Sequence, residues 1–169
     1  EHMNCEAVYI AGHHITLAGN YIGTDATGTH GLPSNGPGVL IGLDQGSNVV
    51  GGTHPAEANV IAYNAGEGIL IAMISIDAGD AYAGSGHSIL RNSIHSNGAL
   101  GIDLDMLLSA DGDGITQNDQ NDADTGSNDM QNYPVLISAH TNNVTGYLSS
   151  TPNVSFTIDV YGSPACDPS

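Results

Sequence analysis

Apolar residues occur along the first hundred positions in short runs that glycine and asparagine separate. Three segments share one order: an asparagine, a short turn, a glycine, and two apolar residues with one residue between them. These segments are residues 35–41, 64–71 and 97–104. A shorter unit, an asparagine with a Val or Ile two positions later, occurs before and between them at residues 20–22, 48–50, 59–61 and 92–94. Repetition at this spacing predicts stacked structural units.

The apolar runs predict β-strands rather than helices, because they are two to four residues long and rich in Val and Ile. Asn and Gly tolerate the left-handed backbone angles of tight turns. Strands stacked about 4.8 Å apart would bring alternate apolar residues into ladders and the repeated Asn side chains into hydrogen-bonded stacks. We predict a parallel β-solenoid, with a β-sandwich with glycine-rich turns as the alternative. The residues predicted to point inward are Val39, Ile41, Ile69, Ile71, Ile102 and Leu104.

Several motifs in this pattern resemble a known family. They are NYIGTDATGT at 20–29, NVI at 59–61, NSIHSN at 92–97, GIDL at 101–104, DADTG at 122–126 and QNYPVL at 131–136. They resemble the right-handed parallel β-helix repeats of large bacterial surface and secreted proteins. The resemblance implies an all-β chain, a right-handed parallel β-helix (solenoid) with a C-terminal β-hairpin extension, located outside the cell or at its surface. It implies no single activity, since that fold hosts lyases, hydrolases, epimerases and adhesins.

The chain divides into four parts by composition. Residues 1–3 are interpreted as a cloning scar, 4–106 as parallel β-helix rungs, and 107–132 as an acidic loop. Residues 133–169 are interpreted as a last strand and a truncated hairpin, with strands at 144–148 and 154–161, which resembles the start of a following β-sandwich. We therefore expect a fragment of a longer protein. The apolar face and unpaired edge of this hairpin predict self-association.

Charge narrows the range of partners. The chain has 1 Lys or Arg against 18 Asp and Glu, for a formal net charge of -17. Nucleic acids and anionic membrane surfaces need clustered cations, so both are excluded as partners. No apolar run approaches the roughly 20 residues that membrane insertion requires. Cations, a neutral polysaccharide or a cell-surface protein remain. Cys5 and Cys166 are read as unpaired thiols, with a disulfide between them left open.

The stretch from 111 to 129 is the densest in carboxylates. Calcium takes six to eight oxygen ligands, several of them carboxylates on a flexible loop. Alternate spacing lets such side chains converge, although the stretch lacks the Glu that an EF-hand loop needs at its twelfth position. The alternative is a solvated loop in which each Asp caps its own turn. The candidate calcium ligands are Asp111, Asp113, Asp119, Asp122 and Asp124.

A second pair of carboxylates, Asp103 and Asp105, occurs in the predicted strand at 102–105. Alternation would point both outward, about 7 Å apart. Glycoside hydrolysis needs two carboxylates at comparable separations, one as acid and one as base or nucleophile. A turn-capping or calcium role is the favoured alternative, since β-strands often carry this pattern. The histidines show no tight spacing of the kind that zinc requires.

The missing motifs favour a role without catalysis. Polysaccharide lyases of the parallel β-helix architecture use Lys or Arg as the base, and this chain has only Arg91. The Asp-Pro-His-Glu motif of the related epimerases is also absent. The sequence therefore predicts a non-catalytic extracellular module, structural or carbohydrate- and surface-binding, that calcium stabilises. The alternative is a polysaccharide-acting glycoside hydrolase that uses Asp103 and Asp105. Whether the chain is an enzyme stays open, with a hydrolase favoured over a lyase.

Overall fold

The computed structural model describes residues 6–42, 46–77, 80–82, 84–105 and 114–161. Within these residues the secondary structure consists of strands and two short 3-10 helices, Pro55–Glu57 and Ser127–Met130. No described helix has the length and apolar character needed to cross a membrane. The strands are β1 (Val8–Ile10), β2 (Thr16–Leu17), β3 (Tyr21–Ile22), β4 (Val39–Ile41), β5 (Val49–Gly51), β6 (Val60–Ala62), β7 (Ile69–Ala72), β8 (Ile74–Asp77), β9 (Asp80–Tyr82), β10 (Ser88–Leu90), β11 (Ser93–His95), β12 (Ile102–Asp105), β13 (Val135–His140) and β14 (Asn143–Tyr147).

Ten of these strands form three parallel sheets that the chain visits in turn. The first sheet has the order β1-β4-β7-β12, the second β2-β5-β10 and the third β3-β6-β11. The register follows the sequence repeat, since Val39 pairs with Ile69, and Ile69 pairs with Ile102. The predicted all-β class with parallel sheets is confirmed, and the stacks are compatible with a β-helix-like fold. The antiparallel pair β8–β9 is an excursion between β7 and β10.

The core lies between the three sheets and consists almost entirely of Val and Ile. Four of the residues predicted to point inward, Val39, Ile41, Ile69 and Ile71, are buried in it, and Leu104 packs against it. Ile102 differs, with 44% of its surface exposed. The reason is its position in β12, the last strand of the first sheet, where no described strand follows to cover it.

The repeated asparagines form the predicted hydrogen-bonded stacks. Asn59 Oδ1 accepts the Asn20 N–H (2.9 Å), and Asn92 Oδ1 accepts the Asn59 N–H (3.1 Å). The side-chain amide of Asn59 also donates to Asn92 Oδ1 (2.9 Å). In a second stack, Asn97 Oδ1 accepts from the backbone N–H (3.1 Å) and the side-chain amide (3.0 Å) of Asn64. These bonds satisfy turn backbone groups that burial would otherwise leave without water.

The glycines before β4 and β7, Gly38 and Gly68, are required by close packing. A Cβ atom at Gly68 would lie 2.6 Å from the Gly101 carbonyl oxygen and 3.0 Å from Asn97 Nδ2. A Cβ atom at Gly38 would lie 2.6 Å from Asn64 Nδ2. The stacked amide thus occupies the space that a side chain would need, which explains why Asn and Gly recur together in the repeat.

The C-terminal part of the chain pairs differently from the expected hairpin. β14 pairs antiparallel with β13, in the register Val135 to Tyr147, rather than with residues 154–161. Residues 154–160 join no ladder of the described residues, and Asp159 contacts Arg91, the residue after β10. Large apolar residues on these segments are exposed, among them Leu136, Ile137 and Val154. Self-association through this region stays a prediction.

Candidate functional site: an acidic cap and a cavity at the end of the sheets

The segment after β12 returns to the end of the parallel sheets. Asn128 Oδ1 accepts the His87 N–H (2.8 Å), and His87 Nδ1 accepts the Asn48 N–H (3.3 Å). Asn48 Oδ1 accepts a backbone N–H of the turn before β2 (2.9 Å). Asn128 therefore occupies the next position in a stack that runs along the turns of the second sheet. The Ser127 hydroxyl donates to the Asp105 carbonyl (2.7 Å), which holds the segment against β12.

The turn at this point has an unusual backbone. Asn128, Asp129 and Met130 have φ values of 50°, 56° and 49°. Asn and Asp enter this left-handed region more readily than other residues, whereas Met does so at a cost. Backbone strain of this kind concentrates at binding sites and switch regions. It directs attention to the cap, residues 114–134, that covers this end of the sheets.

Three of the predicted calcium ligands meet in the cap. One carboxylate oxygen from each of Asp119, Asp122 and Asp124 lies within 4.8 Å of the other two. Oxygen atoms that all bind one calcium at 2.3–2.6 Å are at most about 5 Å apart, so this spacing suits the ion. This is the single group of three or more potential ligands with such spacing in the part of the chain that the structure describes. Asp111 and Asp113 lie outside the described residues, as do Cys5 and Cys166.

Asn132 holds the aspartates in place from within, and only 4% of its surface is exposed. Its backbone N–H donates to Asp122 Oδ1 (2.7 Å), and its side-chain amide donates to the carbonyls of Asp119 (2.9 Å) and Ser149 (2.8 Å). Its own Oδ1 accepts the Asp119 N–H (3.0 Å). The Ser150 hydroxyl donates to the other oxygen of Asp122 (2.7 Å). The cluster is thus held by Asn132, just after the acidic stretch, and by Ser149 and Ser150, well outside it.

Asp124 has a different environment from the other two aspartates. Its Oδ1 atom is buried and has no hydrogen-bond partner among the described residues. Desolvation, and then repulsion by Asp119 and Asp122, raises the pKa of Asp124 above its ordinary value. A cation beside the three carboxylates would interact with this oxygen and reverse the repulsion. The three side chains therefore fit calcium, with backbone carbonyls and water as the natural source of its further oxygens.

The aspartates of β12 do not face solvent as expected. Asp103 is 3% exposed and Asp105 is fully buried. The expectation treated the acidic stretch as a free loop, but part of it covers this face of β12. The Gly114 N–H contacts Asp103 Oδ2 at 3.4 Å, and Ser127 bonds the Asp105 carbonyl. Of the two carboxylates, Asp103 alone is among the described residues that line the neighbouring cavity.

A cavity of about 770 Å³ lies between the last strands and the cap. Its wall is formed by β10, by β12 with the residues just before it, by parts of the cap, and by residues 155–157. Ile89, Leu104 and Phe156 make much of this wall apolar, while His87 and Asp103 contribute polar groups. Its volume and mixed lining are those of a ligand-binding cavity.

Sequence reasoning missed the residues that organise the cap. The side chain of Asn118 forms two hydrogen bonds with the backbone of Tyr133. Its amide donates to the Tyr133 carbonyl (2.8 Å), and its Oδ1 accepts the Tyr133 N–H (2.9 Å). Asn132 and Ser150 act in the same way on the aspartates. No local spacing marks these residues, because each acts on a segment distant in sequence. The one available signal was a run of polar residues, 131–133, immediately before a proline.

A separate turn, between β3 and β4, is organised by one carboxylate. Asp25 Oδ1 accepts the Thr27 hydroxyl (2.8 Å) and the N–H groups of Thr27 (3.2 Å), Thr29 (3.2 Å) and His30 (3.3 Å). The hydrogen bond from the Thr27 hydroxyl contributes most to lowering the pKa of Asp25 to about 2, against an opposing desolvation effect. His30 Nδ1 lies 3.3 Å from Asp25 Oδ2. The ionised carboxylate is therefore the form that holds this turn together.

Asp25→Asn should lower stability at neutral pH, and the difference from the wild type should disappear in acid. The folded pKa of about 2 lies below the ordinary 3.8, so the stabilisation is present above about pH 4 and is lost as the pH falls through 2. Carbon-detected NMR titration of the Asp25 carboxyl group measures the pKa directly, and urea unfolding across pH gives the difference in stability. A pKa near 3.8 would contradict this account of the turn.

No protein-family model, curated protein or solved structure matches the chain in comparisons with known proteins. The interpretation of the cap and the cavity therefore rests on their own geometry.

Proposed function

We propose that the chain is a non-catalytic structural and binding module of the right-handed parallel β-helix type, placed outside the bacterial cell or at its surface, with a cap that calcium stabilises. Three parallel sheets visited in turn support the architecture, together with the asparagine stacks. The sequence motifs support the extracellular setting by resemblance. A neutral polysaccharide or a cell-surface protein is the proposed partner, since a net charge of -17 disfavours anions.

The observation that carries the calcium proposal is the state of Asp124. A buried oxygen without a described partner, beside two further carboxylates, is unfavourable in isolation. The chain has one Lys or Arg in all, so side-chain cations are scarce as a source of compensation. A calcium ion held by Asp119, Asp122 and Asp124 would compensate the charge. It would also link the aspartates to β13 through Asn132, which precedes that strand.

The burial of Asp105 disfavours the alternative of a glycoside hydrolase. Such an enzyme needs two carboxyl groups that reach the same substrate. Asp103 lines the cavity, whereas Asp105 is fully buried and is not among the described lining residues. A substrate in the cavity would meet one carboxyl group of this pair, which supports a binding role over hydrolysis.

Calcium should raise the melting temperature of the wild-type chain, and Asp124→Asn should remove that response. At a hundredfold excess over Kd, binding to the folded state alone contributes about 2.7 kcal/mol. The substitution should also stabilise the calcium-free protein at neutral pH, because the raised pKa of Asp124 means that ionising it there opposes folding. Thermal unfolding in chelator and in calcium, for both proteins, measures the two effects.

The matched control is Asp129→Asn, which removes one exposed carboxylate from the same segment but none from the cluster. It should keep the calcium response. The affinity of the wild type for calcium should fall on acidification, since protons compete for Asp124 as the pH drops through its raised pKa. An equal response from wild type and Asp124→Asn would refute calcium binding at this cluster.

A further inference from the structure

The cavity is bordered by two strands, β10 and β12, that each have an edge without a partner strand among the described residues. β10 and β12 each end their sheet. Ser88 and Leu90 form hydrogen bonds on the side of β5. The Ser88 N–H donates to the Asn48 carbonyl (2.9 Å), and the Gly52 N–H donates to the Leu90 carbonyl (3.2 Å). In a parallel ladder the residue between them, Ile89, directs its N–H and C=O groups to the opposite side. No described residue forms a backbone hydrogen bond with Ile89 on that side.

A second extended segment faces this edge across the cavity. Residues 155–157 line the wall, and the described residues provide no ladder partner for them. Their position beside β10 is fixed at Arg91, whose backbone N–H donates to Asp159 Oδ2 (2.9 Å). Phe156 projects from this segment among the lining residues, with Ile89 and Leu104 on the other walls. On two sides of this space the backbone has no ladder partner among the residues that the structure describes, and apolar side chains lie between them.

We propose that this cavity accepts an extended peptide segment of a partner protein, which adds as a strand to β10, and that the segment carries Lys or Arg. Main-chain hydrogen bonds to an exposed edge supply affinity in this mode of recognition, and alternate side chains supply specificity. Apolar side chains of the segment would pack on Ile89, Leu104 and Phe156. The intervening side chains would face the acidic surroundings of Asp103 and the cap.

Charge selects this occupant over a second copy of the chain. A second copy would bring a net charge of -17 against the same charge, with one Lys or Arg to offset it. No Lys or Arg is among the described residues that line the cavity, while Asp103 is. The negative potential of the protein therefore attracts a cationic strand, whereas it would repel a second copy of the chain or an acidic peptide. This proposal goes beyond the module described above and requires no bound calcium.

The test uses short peptides with blocked ends, in which valine alternates with lysine, glutamate or serine. Calorimetric titration of the whole chain at low salt, with chelator present, should show binding of the lysine peptide. The glutamate peptide should bind at least about tenfold more weakly, and added salt should reduce the difference. No binding of the lysine peptide would overturn the proposal, and equal binding of all three would overturn its cationic part.

Two further measurements test the site and the pairing. Asp103→Asn keeps the shape of the side chain and should lower the affinity for the lysine peptide by about tenfold or more. The exposed control Asp129→Asn should leave this affinity unchanged. Two further peptides carry N-methyl groups on the odd-numbered or on the even-numbered residues. At least one of them should fail to bind, because methylation removes an N–H that is needed for pairing. Binding of both methylated peptides would exclude strand addition. Repeating the titration in calcium shows whether peptide binding depends on calcium, so that this proposal and the calcium proposal can fail independently.

Discussion

Asn59→Ala should lower the free energy of unfolding by about 3 kcal/mol or more, because each buried polar group left without a partner costs about 1–3 kcal/mol. Asn59 is fully buried at the centre of its stack. Its Oδ1 accepts from the backbone and side chain of Asn20 (2.9 and 3.1 Å), and its amide donates to the Leu17 carbonyl (2.8 Å) and to Asn92 (2.9 Å). Alanine removes all four bonds and leaves a cavity that is too confined for solvent to replace them.

The matched control is Asn20→Ala at the exposed end of the same stack, where water replaces the lost bonds. Its cost should stay within about 1 kcal/mol, the usual range for a bond at the surface. Urea unfolding gives both values, and for a chain of this size about 3 kcal/mol corresponds to a fall in melting temperature of roughly 6–12 °C. Equal losses from the two variants would show that the stack contributes no more inside the protein than at its end.

The sheets were predictable from sequence because their determinants are local and repeated. A strand with Val39 and Ile41 facing inward needs only alternation, and its neighbour repeats the same alternation one unit later. The asparagine stacks follow from the same periodicity, since equal positions in successive units come into contact. Gly38 shows how tightly these signals are linked, because the side-chain amide of Asn64 occupies the space that a side chain at this position would need. Handedness does not follow from such patterns and remains part of the proposal.

The cap was not predictable in the same way. Its geometry depends on pairings between segments that share no repeat, such as Asn132 with Asp119 and Ser150 with Asp122. The outward alternation of Asp103 and Asp105 was read correctly as a strand pattern, but the sequence does not say what covers that face. Burial of both residues is decided by the returning chain. The same limitation explains why β14 was assigned the wrong partner strand.

Asn132→Ala should release the cap and with it most of the response to calcium. The side chain makes hydrogen bonds to two segments, which contain Asp119 and Ser149, and at about 1 kcal/mol each their loss should cost about 2–3 kcal/mol locally. The three aspartates then lose the support that keeps them converged, so calcium must also order the loop when it binds. We expect at least a tenfold loss of calcium affinity, equivalent to about 1.4 kcal/mol.

Hydrogen exchange and calcium titration together separate this effect from a general loss of stability. In Asn132→Ala, amide protection should fall at 119–132, while amides of β4, β5 and β7 should keep theirs, because these three strands pair with other strands of the parallel sheets. Asn143→Ala, in the exposed hairpin, should change neither the protection nor the calcium response. If protection were lost evenly across the sheets, cap and sheets would unfold as one unit. Calcium would then stabilise the whole stack rather than its end, and the cap would act as a structural closure of the module.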